Sequence, residues 1–126
     1  MKASEITKQN LRQMVILFYT KILKDDEVGP FFIERLGDDL NSEQWAPHLD
    51  LLTNFWASIT LGDMDYRGSP FAPHAQMPGL KRETFARWLE LFYETVETIY
   101  EEKIAYQFKE RSSIIAGNFM RNLRLA

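Results

Sequence analysis

Residues 7 to 24 read TKQNLRQMVILFYTKILK, and the spacing of their apolar side chains decides the fold class. Leu11, Met14, Val15, Phe18, Ile22 and Leu23 recur at steps of three and four, the period of one face of an α-helix rather than of a strand. Thr7 suits the cap of such a helix, and DDEVGP at 25–30 stops it with acidic residues, a glycine and a proline. Pro30 then opens PFFIERLG, long enough for one or two helical turns. A second long helix is expected from Ser42 or Pro47 to Leu61, with the stripe His48, Leu51, Leu52, Phe55, Trp56 and Ile59. Pro47 would interrupt a helix begun at Ser42, so a kink or a fresh start is expected there. A third long helix is expected over 82–101, carrying Phe85, Trp88, Leu89, Phe92, Val96 and Ile99. A fourth covers 102–123, with Ile104, Phe108, Ile115, Phe119 and Leu123. No repeat, low-complexity segment or convincing strand interrupts this pattern. The chain reads as all-α.

Composition narrows the functional classes. The 126 residues suffice for one domain, 1–126, that buries roughly two-thirds of its unfolded surface. A net charge of −3 with both signs interspersed gives no basic stripe for nucleic acid. The absence of cysteine removes disulfides, thiolate metal sites and thiol nucleophiles, and suits a reducing cytoplasm. No apolar run approaches the roughly 18 residues of a membrane span, and the first ten residues lack the apolar core of a signal peptide. A soluble, cytoplasmic, monomeric protein is expected. Aromatic residues make up 13%, generous for a small core, and large flat side chains pack well around large flat molecules.

One segment resists the helical pattern. Residues 61–80 run LGDMDYRGSPFAPHAQMPGL, and within them Pro70, Pro73 and Pro78 deny the backbone a regular hydrogen-bonded ladder. So long an irregular connection inside a small domain usually carries function. It contains His74, one of only 2 histidines. The other, His48, heads the apolar stripe of the second long helix. Singly, each has a plain explanation: a hydrogen-bonded core histidine, an exposed loop histidine. Together they suggest two imidazoles approaching one cavity from opposite walls, as in a haem pocket. A zinc site fits less well, because the two are far apart in the chain and no HExxH is present. Neither GxSxG nor a glycine-rich phosphate loop occurs, so hydrolase and nucleotide chemistry lack their usual anchors. Tyr19 and Trp88 add polar-tipped rings on inward stripes, and a buried O–H or N–H requires a partner, either a backbone carbonyl or a ligand.

With those residues in view, ILFYTKI, DDEVGPFF, WAPHLDLLTNFW, LGDMDYRGSPFAPH and FARWLELFYETV, in that order, resemble the truncated haemoglobins, most closely group III. The likeness runs from about Leu11 to Ile115, and group II is less apt because it usually has no histidine at the position of His48. Each motif alone is weak; five in register are specific. The resemblance implies a shortened globin fold, two antiparallel helix pairs sandwiching a haem b. It implies His74 as the proximal iron ligand, Tyr19 and Trp88 as distal donors, and His48 near the pocket mouth. It also implies Phe32, Leu52, Phe55, Trp56, Phe85, Leu89 and Phe92 as apolar walls, with Tyr66, Arg67 or Arg82 available to the propionates. Pro47, directly before His48, departs from the pattern. The expected activity is binding of O2, CO or NO, with oxygen binding favoured over oxygen transport by the two distal donors. Two alternatives stand beside it: a haem enzyme for nitric oxide dioxygenation or peroxide turnover with an external reductase, and a haem-free helical interaction module.

Overall fold

The computed structural model describes residues 2–62 and 79–125. Five α-helices follow one another among them: α1 (Lys8–Lys24), α2 (Gly29–Leu36), α3 (Trp45–Thr60), α4 (Arg82–Ile99) and α5 (Glu102–Asn122). Thr7 caps α1 as its sequence position suggests. Its hydroxyl accepts the Asn10 amide at 3.1 Å, while the Asn10 side chain accepts the Thr7 amide at 2.9 Å. Two of the amides that an α-helix leaves without internal partners are thereby satisfied.

Two glycines set the short helix α2. A Cβ on Gly29 would lie 2.8 Å from the Ile22 carbonyl oxygen, so only glycine lets α2 start this close to α1. Gly37 ends the helix with φ at 82°, a conformation other residues adopt only with strain.

α3 begins at Trp45, after turns over residues 40–44, so the helix starts afresh two residues before Pro47 and continues past it. Pro47 is the third residue of the helix. The amide it lacks belongs to the first turn, where no carbonyl of the same helix is available to accept it, so the proline costs little there. α4 stops at Ile99, slightly earlier than its sequence pattern suggests, because Tyr100 is extended and forms a bridge with Ala3. That bridge, through Ala3 N–H to Ile99 and Glu101 N–H to Ala3, ties the N-terminal segment across the corner between α4 and α5.

The helices pair two on two. Along α4 and α5 the contacts run in opposite directions: Phe85 stacks with Phe119 at 6.0 Å, the Tyr93 hydroxyl donates to the Lys109 carbonyl, and Glu97 pairs with Lys109. α1 and α3 also cross in opposite senses, with Arg12 paired to Asp50 and Tyr19 against Trp45. The two pairs meet where Phe18 of α1 and Trp56 of α3 press on Phe92 of α4. Leu11, Met14, Ile22, Trp45, Phe92 and Phe108 form the sealed interior at this junction.

Candidate functional site

On α3 the residues that face the protein interior are Trp45, Leu49, Thr53, Trp56 and Ala57. The stripe read from the sequence lies largely beside that face. His48, Leu52, Phe55 and Ile59 are only half-buried, and Leu51 is 45% exposed. An apolar row this open is unusual on a helix so well packed elsewhere. The explanation is a cavity. His48, Leu51, Leu52 and Phe55 form one of its walls, with Trp56 at the seam between wall and core.

Each of the other helices contributes at its own period. α1 supplies Met14, Val15, Phe18 and Tyr19; α4 supplies Thr84, Phe85, Trp88 and Phe92; α5 supplies Ile115 and Phe119. Val28, with Phe31 and Phe32 of α2, closes one end, and Leu80, just ahead of α4, completes the described lining. Carboxylates, lysines and arginines are absent from this lining among the described residues. Its polar atoms are confined to Tyr19, His48, Thr84 and two indoles. The Thr84 hydroxyl already accepts the Lys81 amide at 3.2 Å.

Tyr19, His48 and Trp88, widely separated in sequence, are drawn together. The Tyr19 ring lies edge-on to His48 at 5.5 Å and to Phe32 at 5.2 Å. Phe18 touches both Tyr19, at 5.1 Å, and Trp88, at 5.4 Å, so a single ring separates the two donors. Burial pushes the Tyr19 phenol well above its ordinary ionisation range. It therefore stays protonated and remains a hydrogen-bond donor. Trp88 stacks on Phe92 at 5.6 Å with the planes 4° apart, and Phe92 stacks in turn on Trp56 at 5.1 Å. This triple stack fixes the plane of the Trp88 indole.

Trp45 has a supporting role that sequence reading did not single out. Fully buried, it donates its indole N–H to the Gly37 carbonyl at 2.8 Å and stands edge-on to His48 at 5.3 Å. Its place three residues before His48, on the same side of α3, was the available signal.

The remaining sequence candidates are distributed unevenly. Phe32, Leu52, Phe55, Trp56, Phe85 and Phe92 line the cavity. Leu89 packs instead against Phe85, Ala116 and Phe119, in a small cluster between α4 and α5. Arg82 is exposed at the first residue of α4. His74, Tyr66 and Arg67 lie outside the described residues. No group of three or more His, Cys, Asp or Glu side chains gathers elsewhere among the described residues to hold a metal ion. None of the described helices is long and apolar enough to cross a membrane.

Two crossed helix pairs closing on a ring-lined apolar cavity define a small globin of the truncated kind. No protein-family model matches the sequence. The chain is 33% identical, over 123 residues, to the group 3 truncated hemoglobin of Campylobacter jejuni, an alignment covering 98% of this chain and 95% of that protein. The crystal structure of the group III truncated hemoglobin from Campylobacter jejuni matches with a TM-score of 0.88 at 32% identity, covering 100% of this chain and 96% of that one. The chain belongs to the group III truncated haemoglobins.

Proposed function

We propose that the cavity holds a haem b and that the protein binds diatomic gases there, O2 foremost. The observation that carries this reading is the half-exposed apolar row on α3, which faces Phe85 and Trp88 of α4 across a cavity with no charged side chain among its described lining residues. A flat apolar macrocycle fits these walls, because ring faces and aliphatic branches contact it without leaving a polar group unsatisfied. Its carboxylates need a wet, cationic edge, and exposed Arg82 stands close in sequence to Leu80 and Thr84 of the lining. The motif implies His74 as the iron ligand, and leaves Tyr66 or Arg67 as alternatives to Arg82 for the carboxylates.

Bound there, the haem supplies an open coordination position for a diatomic gas. The residues of the chain decide how tightly the gas is held. Tyr19 and Trp88 offer an O–H and an N–H from neighbouring positions inside a dry wall. Hydrogen bonds of this kind contribute roughly 1–3 kcal/mol each where water is excluded, enough to slow release about ten- to a hundred-fold. Slow release suits chemistry on the held gas better than delivery, and nitric oxide dioxygenation with an external reductase follows as the enzymatic form of the same reading.

An absorption spectrum of the purified protein tests the reading directly. A Soret band is expected, and the ferrous form should bind O2 reversibly. His74→Ala should lose haem or retain it only in imidazole buffer. A colourless protein that does not take up added haemin would return the fold to a helical interaction module.

A further inference from the structure

The contact between α1 and α4 is mostly made of rings, and it contains one directional link. Phe18 meets Trp88 and Phe92 edge-on, contacts that attract without fixing a register. Lys21 and Glu94 are 4.0 Å apart, too far for a hydrogen bond. Arg87 Nε, by contrast, donates to Asp25 Oδ1 at 2.7 Å. The Asp25 side chain is only 8% exposed, and the residue ends α1 as its C-terminal cap through its backbone amide. Its other oxygen, Oδ2, accepts the amides of Glu27 at 3.1 Å and Val28 at 3.0 Å. On the outer side, Glu90 accepts from Arg87 Nη1 at 2.7 Å and braces the guanidinium.

Asp25 thus joins three parts of the cavity wall. Its backbone amide closes the end of the helix that carries Tyr19, donating to the Ile22 carbonyl at 3.0 Å. Its carboxylate holds Val28, itself a lining residue. It also grips α4 at the residue next to Trp88. Burial pushes the Asp25 carboxyl up, but the hydrogen bonds from Arg87, Val28 and Glu27, together with the Arg87 charge, outweigh it and hold the group below its ordinary range.

We propose that Asp25 and Arg87 are a positioning pair, which fixes the spacing between Tyr19 on α1 and Trp88 on α4 and so sets how firmly the cavity grips a diatomic ligand. This rests on the reading of Tyr19 and Trp88 as ligand donors. Neither Asp25 nor Arg87 is among the lining residues, so the pair acts through the two donors. A planar guanidinium between two carboxylates suits that task, because its hydrogen bonds are directional and a lysine offers only a point charge.

Arg87→Met keeps the aliphatic stem and removes the fork, while Asp25→Asn keeps the shape and removes the charge. In the haem-loaded ferrous protein each should speed O2 dissociation roughly three- to ten-fold, with the double variant no worse than the singles because the two act as one unit. Arg87→Lys should recover little of the loss. A second readout needs no haem: the Trp88 indole N–H resonance of the haem-free chain should shift in both variants. A purely structural pair would lower the melting temperature and leave both dissociation and the indole signal unchanged, which overturns the proposal. Should Arg87→Met fail to fold, exposed Glu90→Gln removes only the outer brace, and an unmoved indole signal there would also overturn it. If Trp88→Phe leaves O2 dissociation unchanged while the indole signal still follows Arg87, the donor reading has failed and the spacing role has not.

Discussion

Tyr19 and Tyr100 are both buried, at 5% and 0% exposure, and burial pushes both phenols well above their ordinary range. Their surroundings differ in kind. Tyr100 stacks on Phe108 at 4.8 Å and donates its hydroxyl to the Asn10 side chain at 2.6 Å, in the corner that Ala3 ties to α4 and α5. Every element around it belongs to the chain. Tyr19 sits among Phe18, Phe32, Trp45 and His48 on the wall of a cavity. A polar tip satisfied by the fold contributes to holding the fold. On the proposed reading, the tip of Tyr19 contributes instead to holding the ligand that enters the cavity.

The largest expected effect follows at Tyr19. Tyr19→Phe removes one oxygen and little volume, so the melting temperature should hardly move while O2 dissociation quickens about ten- to a hundred-fold. Trp88→Phe should quicken it as well, and the double variant should fall short of the product of the two because both donors serve one ligand. Stopped-flow measurement of O2 release reads all three. Unchanged release in both single variants would make Tyr19 a second Tyr100, a packing residue with an incidental hydroxyl.

The reverse pattern is expected at the corner. Tyr100→Phe leaves Asn10 Oδ1 with the Thr7 amide as its remaining donor and should cost about 1 kcal/mol, roughly 4 °C in melting temperature, with O2 release unchanged. Both tyrosines also bear on alkaline stability. The folded chain keeps each phenolic proton at a pH where the unfolded phenol, ionising near pH 10, releases it; the stabilisation is intact below about pH 10 and is lost as pH rises beyond it. Denaturation followed from pH 8 to 12 should therefore show a decline that either Tyr→Phe substitution makes shallower. A decline independent of both would separate burial from stability at these two sites.

How far the sequence disclosed this arrangement differs from element to element. Helical period located α1, α4 and α5 to within a residue or two, since each has one apolar face and one wet face. On α3 the pattern was ambiguous for a physical reason. That helix is apolar toward the protein, through Trp45, Leu49 and Trp56, and apolar again toward the cavity, through Leu51, Leu52 and Phe55. Side-chain chemistry does not distinguish an apolar residue that meets another residue from one that meets a cofactor. The tie between Ala3 and Tyr100 left no trace because it is made of backbone groups, which every sequence possesses. The Asp25–Arg87 pair was hidden by distance: an acidic stop signal and a helix-surface arginine become partners only once α1 and α4 are packed together.

The smallest effect is expected at His48, where the comparison can be sharpened most finely. Its ring is half-buried and held edge-on by Tyr19 at 5.5 Å and Trp45 at 5.3 Å. It stands on the cavity-facing row of α3, one turn before Leu51, the most exposed residue of that row. On the proposed reading Tyr19 and Trp88 provide two donors, so a third is not needed to retain a diatomic ligand. The role we propose for His48 is on entry, by rotating away from its aromatic neighbours on a timescale fast compared with ligand binding. His48→Ala should raise CO association by less than about tenfold and change dissociation less. Leu51→Ala is the matched control, since it opens the same row without touching the ring cluster. If Leu51→Ala speeds association and His48→Ala does not, entry lies past the leucine. If His48→Ala speeds dissociation instead, His48 belongs with Tyr19 and Trp88 as a third donor, and the cavity grips its ligand from α3 as well as from α1 and α4.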